Sequence, residues 1–324
     1  MKKIKIVKNW NYPKLSTITP NNSLIWGNYQ FITEENEAEY DNNYDGLIIF
    51  NFSKNELNLN CAKINTLICT QEPPTERYAF FKKRFPDVGH VLTQFVKTDK
   101  NIVPHHPCLP WWLGKDLDFL KNLKLDGLDK KSSICWITSN KSFHSGHSAR
   151  LNFKKEIDSL NLDYNLFGKG FKEIDNKWDV LKNFKYTLAI ENSNHKDYWT
   201  EKIMDAFLSY TMPIYYGCPN ITKYFPKEAI IFIDINKPEE ATKIIQEAIK
   251  NNLWEKHIDA IKIARNLIIE KYNMFASLSE FMDNNFDFSK KGNVEIPANN
   301  WPGLDTNPSY YKKLRHFIKT KIRK

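Results

Sequence analysis

The sequence predicts an α/β protein built from two parallel-sheet units. Three observations carry that reading. Short apolar runs alternate with stretches of helical periodicity. The alternation comes in two blocks, separated by the polar stretch DGLDKKSS at 126–133. The chain has 324 residues, 41% hydrophobic and 26% charged, a globular profile for two ordinary domains or one large one.

In the first block, IKIV (4–7), GLIIFNF (46–52) and TLICT (66–70) read as strands, with GHVLTQF (89–95) as a weaker fourth. PWWLGKDLDFLKNL follows Leu109; its Trp111 and Trp112 either start a buried helix or offer a ring to a sugar. Gly127 and the charges around it mark a linker. In the second block, ICWIT (134–138), YNLFG (164–168), YTLAI (186–190), MPIYYG (212–217) and AIIFIDI (229–235) read as strands. Leu151, Phe153, Ile157 and Leu160 recur at helical spacing, as do Ile203, Ala206, Phe207 and Tyr210. PEEATKIIQEAIKNN (238–252) is a helix with Pro238 in its first turn. The expected division is a first domain at 1–127, a second at 128–300 and a tail at 301–324. Ligands of parallel sheets sit beyond the carboxyl ends of the strands, often between two domains.

The net charge of +9 suggests a nucleic-acid or membrane partner until its distribution is examined. Residues 310–324 hold seven cations and no acid, so removing them leaves +2 for residues 1–309. The body has no basic stripe for nucleic acid. In the tail, Tyr310, Tyr311, Leu314, Phe317, Ile318 and Ile322 form one helical stripe between the cations. That pattern fits an amphipathic helix on an anionic membrane surface, or one docked on the protein body. The five cysteines form no CxxC pair, so neither a disulfide framework nor a zinc site is expected. The basic start MKKIKIVKNW is followed by no apolar signal core, and no apolar run is long enough to span a bilayer. A cytoplasmic location, peripheral to a membrane, is the expectation.

The polar run Glu191–Asp197 lies between the strand 186–190 and the helix that opens near Thr200. A solvated loop is one reading of it. A phosphate-bearing ligand is the other, because a helix start offers unpaired N–H groups and a positive dipole end. Lys202 is a cation in the first turn, where the dipole disfavours it unless a phosphate neutralises it. Glu201 suits the dipole by itself, and could also accept hydrogen bonds from a ribose diol. Tyr198 could stack or donate to phosphate. Arg150, just inside the helix after ICWITSNKSFHSGHSAR, is a surface residue or a bidentate phosphate partner. GKG (168–170) is too short for a dinucleotide fingerprint, so side chains would have to hold a diphosphate. His144 and His147 have H-x-x-H spacing, without further support for a metal.

The stretch FKYTLAIENSNHKDYWTEKIMDAFLSYTMPIYYGCPNITKYFP resembles the signature region of the α-1,3/4-fucosyltransferases. The family pattern of Glu-Asn, a polar loop, Tyr-x-Thr-Glu-Lys, a helix and Pro-hydrophobic-hydrophobic-Gly corresponds to Glu191-Asn192, Tyr198 to Lys202, and Pro213 to Gly217. The match is specific over about forty residues, and weaker similarity runs over 134–300. The resemblance implies a GT-B fold, two Rossmann-like domains facing across a cleft, with the nucleotide on the second. It implies that Glu201 holds the ribose, that Lys202, Arg150 and Tyr198 hold the diphosphate, and that Asn192 lines the pocket. LICTQEPP places Glu72 at the family's catalytic base, with Glu76, His105 and His106 next in line. The implied activity is inverting transfer of L-fucose from GDP-fucose to a hydroxyl of an acceptor oligosaccharide or lipid-linked glycan, through an α-1,3 linkage and without a divalent ion. The alternatives are a relative using another nucleotide sugar, and a sugar-nucleotide-binding protein without catalysis.

Overall fold

The computed structural model describes residues 1–37, 43–75, 85–95, 100–141 and 145–298. Glu76, His144 and the basic tail lie outside these residues.

The first sheet draws on β1 (Lys2–Val7), β2 (Ile25–Trp26), β3 (Tyr29–Ile32) and β4 (Gly46–Phe50). After the short β5 (Leu57–Leu59) come β6 (Thr66–Cys69), β7 (His90–Thr93) and β8 (Ile102–Pro104). Their order is β2-β3-β1-β4-β6-β7-β8. The β2–β3 pair is antiparallel and every other pair is parallel. Every residue of β4 and β6 is buried, as the unbroken apolar runs require for strands covered on both faces. Among the described residues, 3₁₀ turns and loops, not α-helices, connect these strands.

A crossing segment and α1 (Leu117–Asn122) lead to the second sheet. Asp116 caps α1 by accepting from Phe119 N at 2.7 Å. The strands β9 (Lys131–Ile137), β10 (Asn165–Phe167), β11 (Phe184–Ile190), β12 (Met212–Tyr216) and β13 (Ile231–Phe232) are all parallel, in the order β10-β9-β11-β12-β13. The helices are α2 (Ser145–Ser159), α3 (Trp178–Leu181), α4 (Glu201–Leu208), α5 (Pro238–Lys250), α6 (Leu253–Lys256) and α7 (Ile258–Glu270). From β9 the chain moves to one side, to β10, and then crosses to the other, to β11. The strand order thus reverses at β9, the topological switch point at which sheets of this kind bind ligands.

Two features of the domain plan differ from expectation. Lys130, read as linker, is buried, and its Nζ donates to Leu181 O, Phe184 O and Thr211 Oγ1 at 2.9–3.0 Å. Burial lowers its pKa to about 7. The linker stretch thus already belongs to the second sheet. Helix α8 (Met274–Asn285) and β14 (Val294–Ile296), inside the expected second domain, return to the first. Phe275 packs on Phe31 with centroids 4.4 Å apart, Tyr29 Oη donates to Asp283, and β14 pairs antiparallel with β5. The cause is the apolar face of α8, where Phe275, Leu278 and Met282 are fully buried.

The loops at the carboxyl ends of the two sheets meet. His106, just after β8, stacks on Trp199, just before α4, with centroids 4.8 Å apart and planes at 19°. Arg265 of α7 donates to Leu120 O on α1 and to Leu208 O on α4, which seats α1 on the second unit.

Candidate active site

The site grows from the end of β11 and the start of α4. Thr200 caps the helix, its Oγ1 accepting from Lys202 N at 3.4 Å. Glu191 holds the cap in turn, accepting from Thr200 N and Thr200 Oγ1 at 2.8 Å each. It is 2% exposed, and burial raises its pKa despite the pull of Lys202. Much of the loop's polarity serves the loop itself. Asp197, at φ 59°, accepts from Asn220 Nδ2 at 2.8 Å and Tyr224 Oη at 2.5 Å, tying the loop to the one after β12.

Lys202 Nζ lies 3.0 Å from Thr200 Oγ1, 3.2 Å from Glu201 Oε1 and 3.3 Å from Glu191 Oε2. Burial would lower its pKa, but the two carboxylates outweigh it and raise it. The structure thus corrects the expectation that a phosphate must neutralise this lysine, since Glu191 and Glu201 already do so. Burial would raise Glu201, yet Lys202 and Lys177 hold it down at about 2.

Arg150 reaches the site from α2. It is 5% exposed, not a surface residue, and its Nη1 donates to Asn192 Oδ1 at 2.8 Å. Its Nε has no hydrogen-bond partner among the described residues. Burial lowers its pKa, against the pull of Glu191 and Glu201. Gly146 makes this approach possible, because a Cβ there would lie 2.0 Å from Asn192 O. Arg150, Asn192, Glu201 and Lys202 are therefore one cluster at the switch point. Tyr198 is 4% exposed, and its N–H donates to His195 O at 3.2 Å within the same loop.

Sequence reasoning missed two further members. Lys177 Nζ sits 2.6 Å from Asp205 Oδ2 and 3.9 Å from Glu201 Oε1. Asp205 is 1% exposed and also accepts from Trp112 N at 2.9 Å. Burial raises its pKa to about 6 against the pull of Lys177. An aspartate inside the apolar pattern of α4 was the available signal.

Glu72 is half-buried on the loop after β6, at the carboxyl edge of the first sheet. Its neighbour Gln71 is clamped: its N–H donates to Asn51 Oδ1 at 2.7 Å, its Nε2 to Cys108 O at 3.0 Å, and its Oε1 accepts from Trp10 Nε1 at 2.8 Å. The backbone that carries Glu72 is thereby fixed. His106, a reserve candidate for the base, is 3% exposed. Its Nδ1 accepts from Cys108 N and its Nε2 meets Ser277 Oγ, both at 3.2 Å. Burial, first, and the neighbouring His105 push its pKa well down. It is a structural tie. Among the described residues, His105, His106 and Cys108 have potential ligand atoms within 4.8 Å of one another, but both nitrogens of His106 are already engaged within the chain.

Residues 128–256 match the model of the glycosyltransferase family 10 (fucosyltransferase) C-terminal domain. The 4-galactosyl-N-acetylglucosaminide 3-alpha-L-fucosyltransferase 9 of Cricetulus griseus is 34% identical over 129 residues, 38% of this chain and 35% of the relative. The enzyme of the same name from Homo sapiens gives the same identity and shares. The match thus spans about a third of the length of these relatives (35%). Among solved structures, an alpha-glucosyltransferase in complex with UDP and a 13-mer DNA aligns with a TM-score of 0.50 and 10% identity, over 87% of this chain and 100% of that one. An alpha1,3-fucosyltransferase with GDP-fucose aligns at 0.45 and 16% identity, over 79% of this chain and 81% of that one. The fold is GT-B, two parallel-sheet units meeting at the carboxyl ends of their strands. The cluster of Arg150, Asn192, Glu201 and Lys202 lies within the segment 128–256 that matches the glycosyltransferase family 10 (fucosyltransferase) C-terminal model.

Proposed function

We propose that the chain is an inverting fucosyltransferase that moves L-fucose from GDP-fucose to a hydroxyl of an acceptor glycan, through an α-1,3 linkage. The observation that carries this reading is the cluster of Arg150, Asn192, Glu201 and Lys202 at the start of α4, inside the segment that matches the family model. Arg150 and Lys202 bind the diphosphate, Asn192 lines its pocket, and Tyr198 supports the loop that holds it. The carboxylate of Glu201, ionised far below neutral pH, accepts from the ribose diol.

The acceptor oxygen attacks the anomeric carbon of fucose, and the bond from that carbon to the diphosphate oxygen breaks on the opposite face. The transition state has oxocarbenium character. Glu72 takes the hydroxyl proton. The leaving GDP gains negative charge, which Arg150 and Lys202 stabilise. These cations serve in place of a divalent ion. The acceptor is an oligosaccharide or a lipid-linked glycan. Residues 310–324 hold the enzyme on an anionic membrane surface, on its cytoplasmic side. A relative with the same phosphate and ribose contacts but another donor sugar is the second reading, because the roles proposed for the four clustered side chains are all toward phosphate and ribose.

A donor screen tests the proposal. With chelator present, GDP should be released from GDP-fucose in the presence of an N-acetyllactosamine acceptor, and not from GDP-mannose or UDP-sugars. Turnover of GDP-mannose in place of GDP-fucose would move the assignment to the second reading. No turnover of any donor would remove the enzymatic assignment.

A further inference from the structure

The stretch CLPWWLG carries two adjacent tryptophans with opposite fates. Trp111 is 2% exposed and its indole N–H donates to Lys115 O at 2.9 Å. Leu113 is fully buried. Between them, Trp112 is 41% exposed. Its backbone is nonetheless fixed, since its N–H donates to the buried Asp205 at 2.9 Å. Tyr12, which follows β1 and is 53% exposed, meets the Trp112 ring edge-on, with centroids 5.8 Å apart and planes at 83°. Tyr12 at its edge and Lys177 over the ring hold Trp112 in place, yet the pair stays open to solvent. It is a platform for a flat or apolar ligand face.

Its position identifies the ligand. Lys177 Nζ lies 5.8 Å from the centroid of the Trp112 ring, 2.6 Å from Asp205 Oδ2 and 3.9 Å from Glu201 Oε1. The same Glu201 Oε1 lies 3.2 Å from Lys202 Nζ, which in turn lies 3.3 Å from Glu191 Oε2, and the Arg150–Asn192 pair joins this cluster. The site therefore has a direction: cations for a diphosphate, a carboxylate for a diol, then an aromatic platform. A nucleoside diphosphate has its parts in that same sequence, phosphate, ribose and base. We propose that Trp112 stacks on the nucleobase of the donor, with Tyr12 flanking it, and that this platform selects a purine over a pyrimidine through its larger stacking face. The inference rests on the donor site described above. Because Tyr12 comes from the first unit and Glu201 from the second, the base is held where the two units meet.

Trp112→Ala leaves the backbone bond to Asp205 in place, so it removes the ring and little else. Stacking on an aromatic side chain changes base affinity by about five- to a hundredfold on alanine substitution. The experiment is calorimetric titration of GDP, UDP and inorganic pyrophosphate into the full chain, as wild type, Trp112→Ala and Trp112→Phe. Trp112→Ala should lose about five- to a hundredfold for GDP and less for UDP, narrowing the preference between them. It should bind pyrophosphate as the wild type does, and Trp112→Phe should keep most of the GDP affinity. Equal GDP affinity in Trp112→Ala and wild type overturns the inference alone. An equal loss for GDP and pyrophosphate also overturns it, because the ring would then act through the structure and not on the base. A wild-type protein that binds no GDP overturns the donor site itself and this inference with it.

Discussion

Lys202 Nζ and Glu191 Oε2 form an ion pair of 3.3 Å at the start of α4, with the Glu191 side chain fully buried. The lysine is thereby aimed before any ligand arrives. Preorganised charge of this kind costs little reorganisation when negative charge develops on a leaving group. Lys202→Ala should lower kcat/KM for GDP-fucose by ~10²–10³-fold. It should also lower the unfolding midpoint, because a buried carboxylate loses its counter-charge. Rates compared on samples shown to be folded at the assay temperature check this. A loss below tenfold would place Lys202 off the leaving group.

Glu72 is held by the clamped Gln71 at the carboxyl edge of the first sheet. Glu72→Gln keeps the shape and removes the basicity. Transfer should fall by ~10²–10⁴-fold while GDP affinity stays near wild type, since the contacts proposed to the phosphates and ribose lie on the other unit. Near-normal transfer would move the base elsewhere, with His105 the remaining described candidate.

Asp205 gives a pH signature. Burial raises its pKa to about 6, above the ordinary aspartate value, while Lys177 and the Trp112 N–H pull it down and Glu201 pushes it up. The folded state therefore binds the proton more tightly than the unfolded chain. Stability from this group falls as pH rises from about 4 to about 6, and the cost of the buried charge is complete above that. Asp205→Asn abolishes the titration. The stability difference, variant minus wild type, should rise by about 2–3 kcal/mol between pH 4 and pH 6.5 and then level off. Urea unfolding of both proteins across that range measures it. A flat difference would show that Asp205 titrates in the folded protein as it does in water.

Much of this arrangement was legible in the sequence, and the parts that were not share a cause. The strands around the site were readable because β4, β6, β9, β11 and β12 are apolar runs bounded by polar turns. The N-cap Thr200 and the change of period after it placed α4. The short pair β2–β3, and β8 with its Pro104, carry no clean two-residue alternation and were not foreseen. The site residues on one loop and one helix start were found together because sequence adjacency kept them together. Lys177 was missed because it reaches Asp205 only once the loop after β10 folds onto α4. Trp112 could not be separated from Trp111, since exposure of one and burial of the other is decided by the crossing between the units. The return of α8 to the first sheet is likewise a tertiary event. Its apolar face could be read, but not what it would cover.

Full-length protein should bind anionic vesicles at low salt and release as salt rises, at about 1 kcal/mol for each cation near the surface. A chain ending at Ser309 should stay in the supernatant. Co-sedimentation of both with phosphatidylserine-containing vesicles reads this. Identical behaviour of the two would remove the membrane role of residues 310–324.

The most direct test of the account is a calorimetric titration of GDP into chelator-treated wild-type protein and Arg150→Ala. The account predicts that wild type binds GDP without added metal, that adding manganese leaves the affinity unchanged, and that Arg150→Ala binds at least tenfold more weakly, the scale of one lost charge-assisted contact. Binding that appears only with manganese, or an Arg150→Ala variant that binds GDP as wild type does, would contradict it.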